Sequence, residues 1–311
     1  MSTLPVIAAV DGSDDSLRAL DWALDTARRR GAPLRVVHVR QYAVWAQPDV
    51  LVAGPPDPEA DSVLDQVRGH VAAMPERPDI EYVGLEGAPT ALLPELGSTA
   101  QLLVLGSRGR GGFASLLLGS NGMAAARDAE CPVVVIPRPG RDGGTTHAFR
   151  AVGEQGDAPA EPGHRVVVGL QVDSPDEATL DFAFTEAALR DAPLQVIAAY
   201  AWPAQSWAAP SELMPLMVDQ DAVERDTWTL AEGFLAPHRE NHPDVRAEAY
   251  AMAGDAAGLL VDASRDADLV VVGRHRRRLL APARMLGSVT HAVLLHAVSP
   301  IAVVPPTPAE E

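Results

Sequence analysis

The chain repeats itself. Leu20, Asp21 and Ala23 return as Leu180, Asp181 and Ala183, and Ala32-Pro33-Leu34 returns as Ala192-Pro193-Leu194, both at an offset of 160. Leu102-Leu103-Val104-Leu105-Gly106 returns as Leu269-Val270-Val271-Val272-Gly273 at an offset of 167. Leu118-Gly119-Ser120 returns as Leu286-Gly287-Ser288, and Pro132-Val133 to Pro137 returns as Pro300-Ile301 to Pro305, both at 168. The matches are collinear and drift little, which marks an internal duplication. Residues 139–163, rich in Gly, Pro, Ala and Asp, read as a flexible linker. The expected domains are therefore 1–138 and 164–311, each of ordinary size.

Within each copy, strand and helix signals alternate. In the first copy, Leu4 to Val10, Leu34 to Val39, Ile80 to Val83, Leu102 to Leu105 and Val133 to Ile136 read as strands. They are apolar throughout rather than alternating, as in a parallel sheet covered on both faces. Helices are expected from Ser13 to Arg30, from about Pro58 to Ala73, from Thr90 to Ala100 and from Ser120 onward. Ser13 suits an N-cap, Asp14 and Asp15 suit the positive end of the helix dipole, and Gly31 suits the stop. Such βα units make a doubly wound α/β fold, whose ligands sit at the C-terminal ends of the strands.

Composition narrows the partners. The net charge of −17 sets the surface against nucleic-acid phosphates, so any phosphate must be held locally. All 25 basic residues are Arg. A Walker-A lysine and a lysine Schiff base are thereby excluded. A single cysteine, Cys131, permits no intrachain disulfide. Met1 to Val10 runs into a strand pattern with no basic leader, and no apolar run has the length of a membrane span. The expectation is a cytoplasmic protein with no membrane or nucleic-acid partner.

Two features of the first copy fall at the ligand edge. Asp11-Gly12-Ser13 follows the first strand, where a carboxylate can accept from an adenine amino group or a ribose hydroxyl; helix capping is the other role open to Asp11. Gly106-Ser107-Arg108-Gly109, nine further residues and Gly119-Ser120 join a strand to a helix. Glycines let backbone amides approach a phosphate, and a helix N-terminus supplies free N–H groups. Arg108 and Arg110 bring positive charge, and Ser120 a hydroxyl.

Asp11-Gly12-Ser13, Gly106-x-x-Gly109-x9-Gly119-Ser120 and the closing Cys131-Pro132-Val133-Val134-Val135 resemble the ATP-binding branch of the universal stress protein family, over both copies. The resemblance implies two tandem five-stranded sheets of order 3-2-1-4-5, of the adenine nucleotide alpha hydrolase type. It implies that Val10, Asp11 and Val39 hold the adenosine. It implies that Gly106, Gly109, Gly119 and Ser120 hold the phosphates of ATP, with Mg or Mn as a companion; Ser107, Arg108, Arg110 and Asn121 complete the expected phosphate site. The implied role is a nucleotide-dependent regulator of stress or dormancy, with slow ATP hydrolysis or none and an unidentified regulatory protein partner. The last strands, Val133–Ile136 and Ile301–Val304, would pair the two domains, with a homodimer as a further assembly.

The second copy departs from this pattern. Against Val10-Asp11-Gly12-Ser13 it reads Leu170-Gln171-Val172-Asp173, so the acid becomes Gln171. The loop reads Gly273-Arg274-His275-Arg276, with Arg276 in place of the second glycine. Gly169, Gln171, Gly273, Arg274, His275, Arg276, Gly287, Ser288 and Val289 are the corresponding site residues, and altered or weakened binding is expected there. In the first copy the departure is Asn121-Gly122, where the glycine weakens the helix start. A scaffold with vestigial sites is the rival reading. A nucleotidyl transferase or ligase is disfavoured, because there is no Lys and no His before His38. His38 reads as a satisfied core residue, and the His238/His242 pair as a helix end rather than a zinc site. Tyr42, Trp45, Trp202 and Trp207 follow the second strands in Pro-rich loops, either as lids near the adenine edge or as packing.

Overall fold

The computed structural model describes residues 3–41, 61–72, 74, 76–109, 118–140, 164–201, 219–274 and 286–307. The aromatic loops, Arg110, His275, Arg276 and most of the expected linker lie outside them. The chain forms two compact units that divide after Arg138.

Unit 1 contains β1 (Val6–Val10), α1 (Asp14–Arg30), β2 (Leu34–Arg40), α2 (Ser62–Ala72), β3 (Ile80–Glu86), α3 (Pro89–Glu95), β4 (Leu102–Gly106), α4 (Ser120–Asp128) and β5 (Val133–Ile136). Its strands are all parallel, in the order β3-β2-β1-β4-β5. Unit 2 repeats the plan with β6 (Val166–Gly169), α5 (Glu177–Arg190), β7 (Leu194–Tyr200), α6 (Gln220–Asn241), β8 (Ala247–Ala253), α7 (Ala256–Ala263), β9 (Leu269–Gly273), α8 (Ser288–His296) and β10 (Ile301–Val304). Its order is β8-β7-β6-β9-β10, again parallel. Each unit therefore has the expected five-stranded 3-2-1-4-5 sheet.

The central strands are apolar because both faces are covered. Val6, Ile7, Leu102, Leu103, Val104 and Val134 are fully buried, as are Val166, Val167, Leu269 and Val270. Ala19, Ala23 and Ala27 bury the inner face of α1, and their small side chains let it lie close to the sheet.

The repeated Ala-Pro-Leu has a backbone explanation. Gly31 ends α1 in the left-handed region at φ 58°, and the Ala32 amide bonds back to the Ala27 carbonyl at 3.0 Å. The Pro33 carbonyl then accepts from Val6 at 2.9 Å, and Leu34 enters β2. In unit 2, Asp191 takes the left-handed position at φ 51°, Ala192 bonds to Ala187 at 3.0 Å, and Pro193 accepts from Val166 at 3.0 Å.

Several boundaries differ from expectation. β1 starts at Val6 rather than Leu4, since Pro5 has no amide for the ladder and Leu4 is exposed. The expected helix over 90–100 begins at Pro89 and tightens to a 3-10 turn over Leu96–Thr99, just past Pro94. β3 runs on to Glu86 along β2. Among the described residues no helix is long and apolar enough to cross a membrane.

One partly buried hydrogen-bonded pair fastens α2 to the sheet. His38, on β2, directs Nδ1 at both carboxylate oxygens of Asp61, at 2.9 and 2.7 Å. Asp61 also accepts the Val63 and Leu64 amides at 3.0 and 3.1 Å, capping α2. Burial pushes the Asp61 carboxyl up, but the His38 contact and the two amides outweigh it, so its pKa falls below the ordinary 3.8. A lowered carboxylate pKa gives stability that is complete above the ordinary value and lost as pH falls through the lowered one. Asp61→Asn should therefore speed hydrogen exchange at Val63 and Leu64 by about tenfold or more at neutral pH. The difference from wild type should shrink as pH drops below 3.8.

Candidate functional site

The C-terminal edge of the unit 1 sheet is shaped by turns that the sequence specifies. Gly12 has φ 76°, which lets the chain turn from β1 into α1. Asp11 Oδ1 accepts from the Ser13 amide at 3.0 Å and from its hydroxyl at 2.6 Å. Ser13 in turn accepts from the Ser16 amide at 3.2 Å, so Ser13 is the cap of α1 and Asp11 holds the cap in place. The second carboxylate oxygen of Asp11 faces the loop: a Cβ built on Gly109 would lie 2.4 Å from it. Gly109 is thus required for close approach to Asp11.

Gly106 ends β4 against the first turn of α1. A Cβ there would meet the backbone C and O of Asp15 at 2.7 Å, so no side chain fits. The next residue bonds in both directions: the Ser107 amide donates to the Ile136 carbonyl at 2.9 Å, and its carbonyl accepts from the Gly119 amide at 2.7 Å. The second bond closes the loop, bringing the end of β4 to the start of α4. Gly119 is the N-cap of α4 and has no side-chain capping bond. Ser107 is 1% exposed, and its hydroxyl has no partner among the described residues. Ser120 is exposed and Asn121 half-buried at the helix start. α4 forms despite Gly122, and the glycine has a packing cause: a Cβ would meet Leu118 Cδ1 at 2.9 Å.

Val10 and Val39 lie on adjacent strands, with Val10 in register with His38. Val10, Asp11, Val39, Gly106, Ser107, Arg108, Gly109, Gly119, Ser120 and Asn121 thus belong to one end of one sheet. Among the described residues no group of three or more His, Cys, Asp or Glu side chains could hold a metal ion.

Unit 2 is built differently at the same edge. In the repeat alignment Asp14, the first residue of α1, matches Ser174, yet α5 starts three residues later at Glu177. Pro175 keeps Ser174 out of the helical region, and Asp176, in extended backbone, is the N-cap from which α5 begins. Gln171 is exposed, and its carbonyl accepts from the Ser174 amide at 3.1 Å in a turn. A Cβ on Gly273 would lie 2.7 Å from the Thr179 hydroxyl and 3.5 Å from Asp176 Oδ2. Thr290 donates to the Gly273 carbonyl at 2.8 Å, at the position where unit 1 has Gly122. The Arg274 amide bonds to the Val304 carbonyl at 2.7 Å, matching Ser107 and Ile136. Gly169 packs beneath Leu260 of α7. Gly287 caps α8 without a side-chain bond, with Ser288 exposed and Val289 half-buried.

Three residues beside the unit 1 site escaped the sequence reading: Arg18, Arg138, and Asp15 as anything more than a helix-dipole charge. Asp15 is 1% exposed and pairs with Arg18 and with Arg138, whose Nε is 3.2 Å from Asp15 Oδ1. His238 and His242 stack on Phe184 at 5.3 and 5.7 Å, and His238 pairs with Asp181 at 2.9 Å, so both pack at a helix end.

Comparison with known proteins matches both units to one family. The profile described as "Universal stress protein family" matches residues 4–137 and 163–305. The chain is 32% identical to universal stress protein Rv2005c of Mycobacterium tuberculosis, over 96% of each chain. It is 28% identical to universal stress protein Rv2623 of the same organism, over 97% of this chain and 96% of the other. A universal stress protein structure from Archaeoglobus fulgidus shares the fold, with a TM-score of 0.61 and 16% identity, over 97% of this chain and 98% of that one. With both units matched and relatives aligned end to end, the chain belongs to the universal stress protein family as a tandem-domain member.

Proposed function

We propose that unit 1 binds an adenine nucleotide, ATP foremost, and that the protein is a nucleotide-dependent regulator of stress or dormancy responses in the cytoplasm. The observation that carries this is the bond from the Gly119 amide to the Ser107 carbonyl. It joins a strand end made of glycine to the uncapped N-terminus of α4, where amides and the helix dipole favour an anion. Asp11, on the same edge, offers the carboxylate that an adenosine hydroxyl or amino group requires. The described residues offer no acidic cage, so Mg or Mn would arrive with the phosphates and keep water ligands, as Mg commonly does.

In this reading the glycines act in different ways. At Gly109 any side chain displaces the Asp11 carboxylate. At Gly119 a Cβ would have ordinary contacts, the nearest at 3.6 Å from the Ser107 carbonyl oxygen, so only a larger group should block the helix end. The rival scaffold reading draws on unit 2, where Thr179 and Asp176 crowd Gly273.

ATP binding to the full chain, measured by calorimetry, tests the reading. Gly109→Ala and Gly119→Val should each weaken ATP by at least about tenfold, while Gly119→Ala stays within a few-fold of wild type. Wild-type affinity in both Gly109→Ala and Gly119→Val would refute the site.

A further inference from the structure

We infer that Arg138 is a phosphate-binding residue of the unit 1 site, held in position by the buried carboxylate of Asp15. This rests on the nucleotide reading of unit 1 and adds a charge that the glycine motif does not contain.

The geometry starts from the cost of burying Asp15. A carboxylate that is 1% exposed is costly unless it is paired. Its pairing is one-sided: Arg18 and Arg138 both reach Oδ1, while Oδ2 is buried with no partner among the described residues. The Asp15 backbone lies directly against Gly106, at the start of the phosphate loop. Arg138 stands two residues beyond Ile136, whose carbonyl anchors the Ser107 amide. The side-chain contact of Arg138 with Asp15 thus places its guanidinium on the residue whose backbone abuts the start of the loop. Its contact with Asp15 uses Nε, and the side chain is 52% exposed. A guanidinium has five N–H donors, so the terminal nitrogens remain for an anion. In a chain of net charge −17, Asp15, Arg18 and Arg138 together carry an excess of one positive charge next to the cradle.

The second copy supplies an internal comparison. Asp15 and Arg18 align with Pro175 and Ala178, and Arg138 aligns with Pro306. All three charges are missing from the unit whose loop has lost its second glycine, so the cluster accompanies the intact loop. A brace needed by the fold would be expected in both units.

The experiment measures adenosine, AMP and ATP binding to full-length wild type, R138Q, D15N and the double variant by calorimetry. R29Q, at the far end of α1, controls for total charge. R138Q should weaken ATP by about tenfold, AMP less and adenosine not at all, and should reduce the salt dependence of ATP affinity. D15N should also weaken ATP, although it removes a negative charge, because Arg138 loses its seat. The double variant leaves only the half-buried Arg18 without its carboxylate, so it remains informative if R138Q folds poorly, and it should bind no worse than R138Q. Wild-type ATP affinity in the folded double variant overturns the inference, as does tighter binding by D15N or an equal loss for all three ligands. A wild type that binds none of the ligands overturns the nucleotide reading and this inference together.

Discussion

The close approach of β4 to α1 at Gly106 governs the functional edge of unit 1. With a Cβ excluded by the Asp15 backbone, strand end and helix start touch directly. The loop leaving β4 is then pinned by Ser107 to β5 and to α4, and Gly109 comes to rest against Asp11. A bulkier residue at Gly106 would displace α1 and, with it, the Ser13 cap and the Asp11 carboxylate.

Duplication explains which features are shared. Several recurring segments have backbone that serves the sheet: Pro33 and Pro193 feed β1 and β6, and Pro132 and Pro300 accept from Leu103 and Val270 at 3.0 and 2.9 Å. Gly119-Ser120 recurs too, but the rest of the candidate-site edge diverges. The helix after β6 starts three residues later than its counterpart, at Glu177, and Thr179 occupies the space beside Gly273. The framework was retained in both copies while the surface it presents was not, as expected when fold and site are separable.

Much of the fold was legible because its determinants are local. Apolar runs gave the strands, and Ser13 and Gly31 gave the ends of α1. The differences are also physical. Pro5 cannot donate, which moved the start of β1, and β3 extends to Glu86 along the full length of β2. At the candidate site the glycines and Asp11 stood out in the sequence, but the long-range charges beside them did not. Arg138 meets Asp15 across 123 residues of chain, and neither residue carries a periodic signal. His38 and Asp61 meet across 23 residues, and only the fold joins them. The comparison of Asp15 and Arg138 with Pro175 and Pro306 was the one sequence signal that could have exposed the first pair.

The central proposal is that the unit 1 edge binds an adenine nucleotide and that binding at its unit 2 counterpart is altered or weakened. The most direct measurement denatures the purified protein and determines, by mass, the identity and amount of released nucleotide. The account predicts one adenine nucleotide per chain; two per chain, or none after incubation with excess ATP, would contradict it.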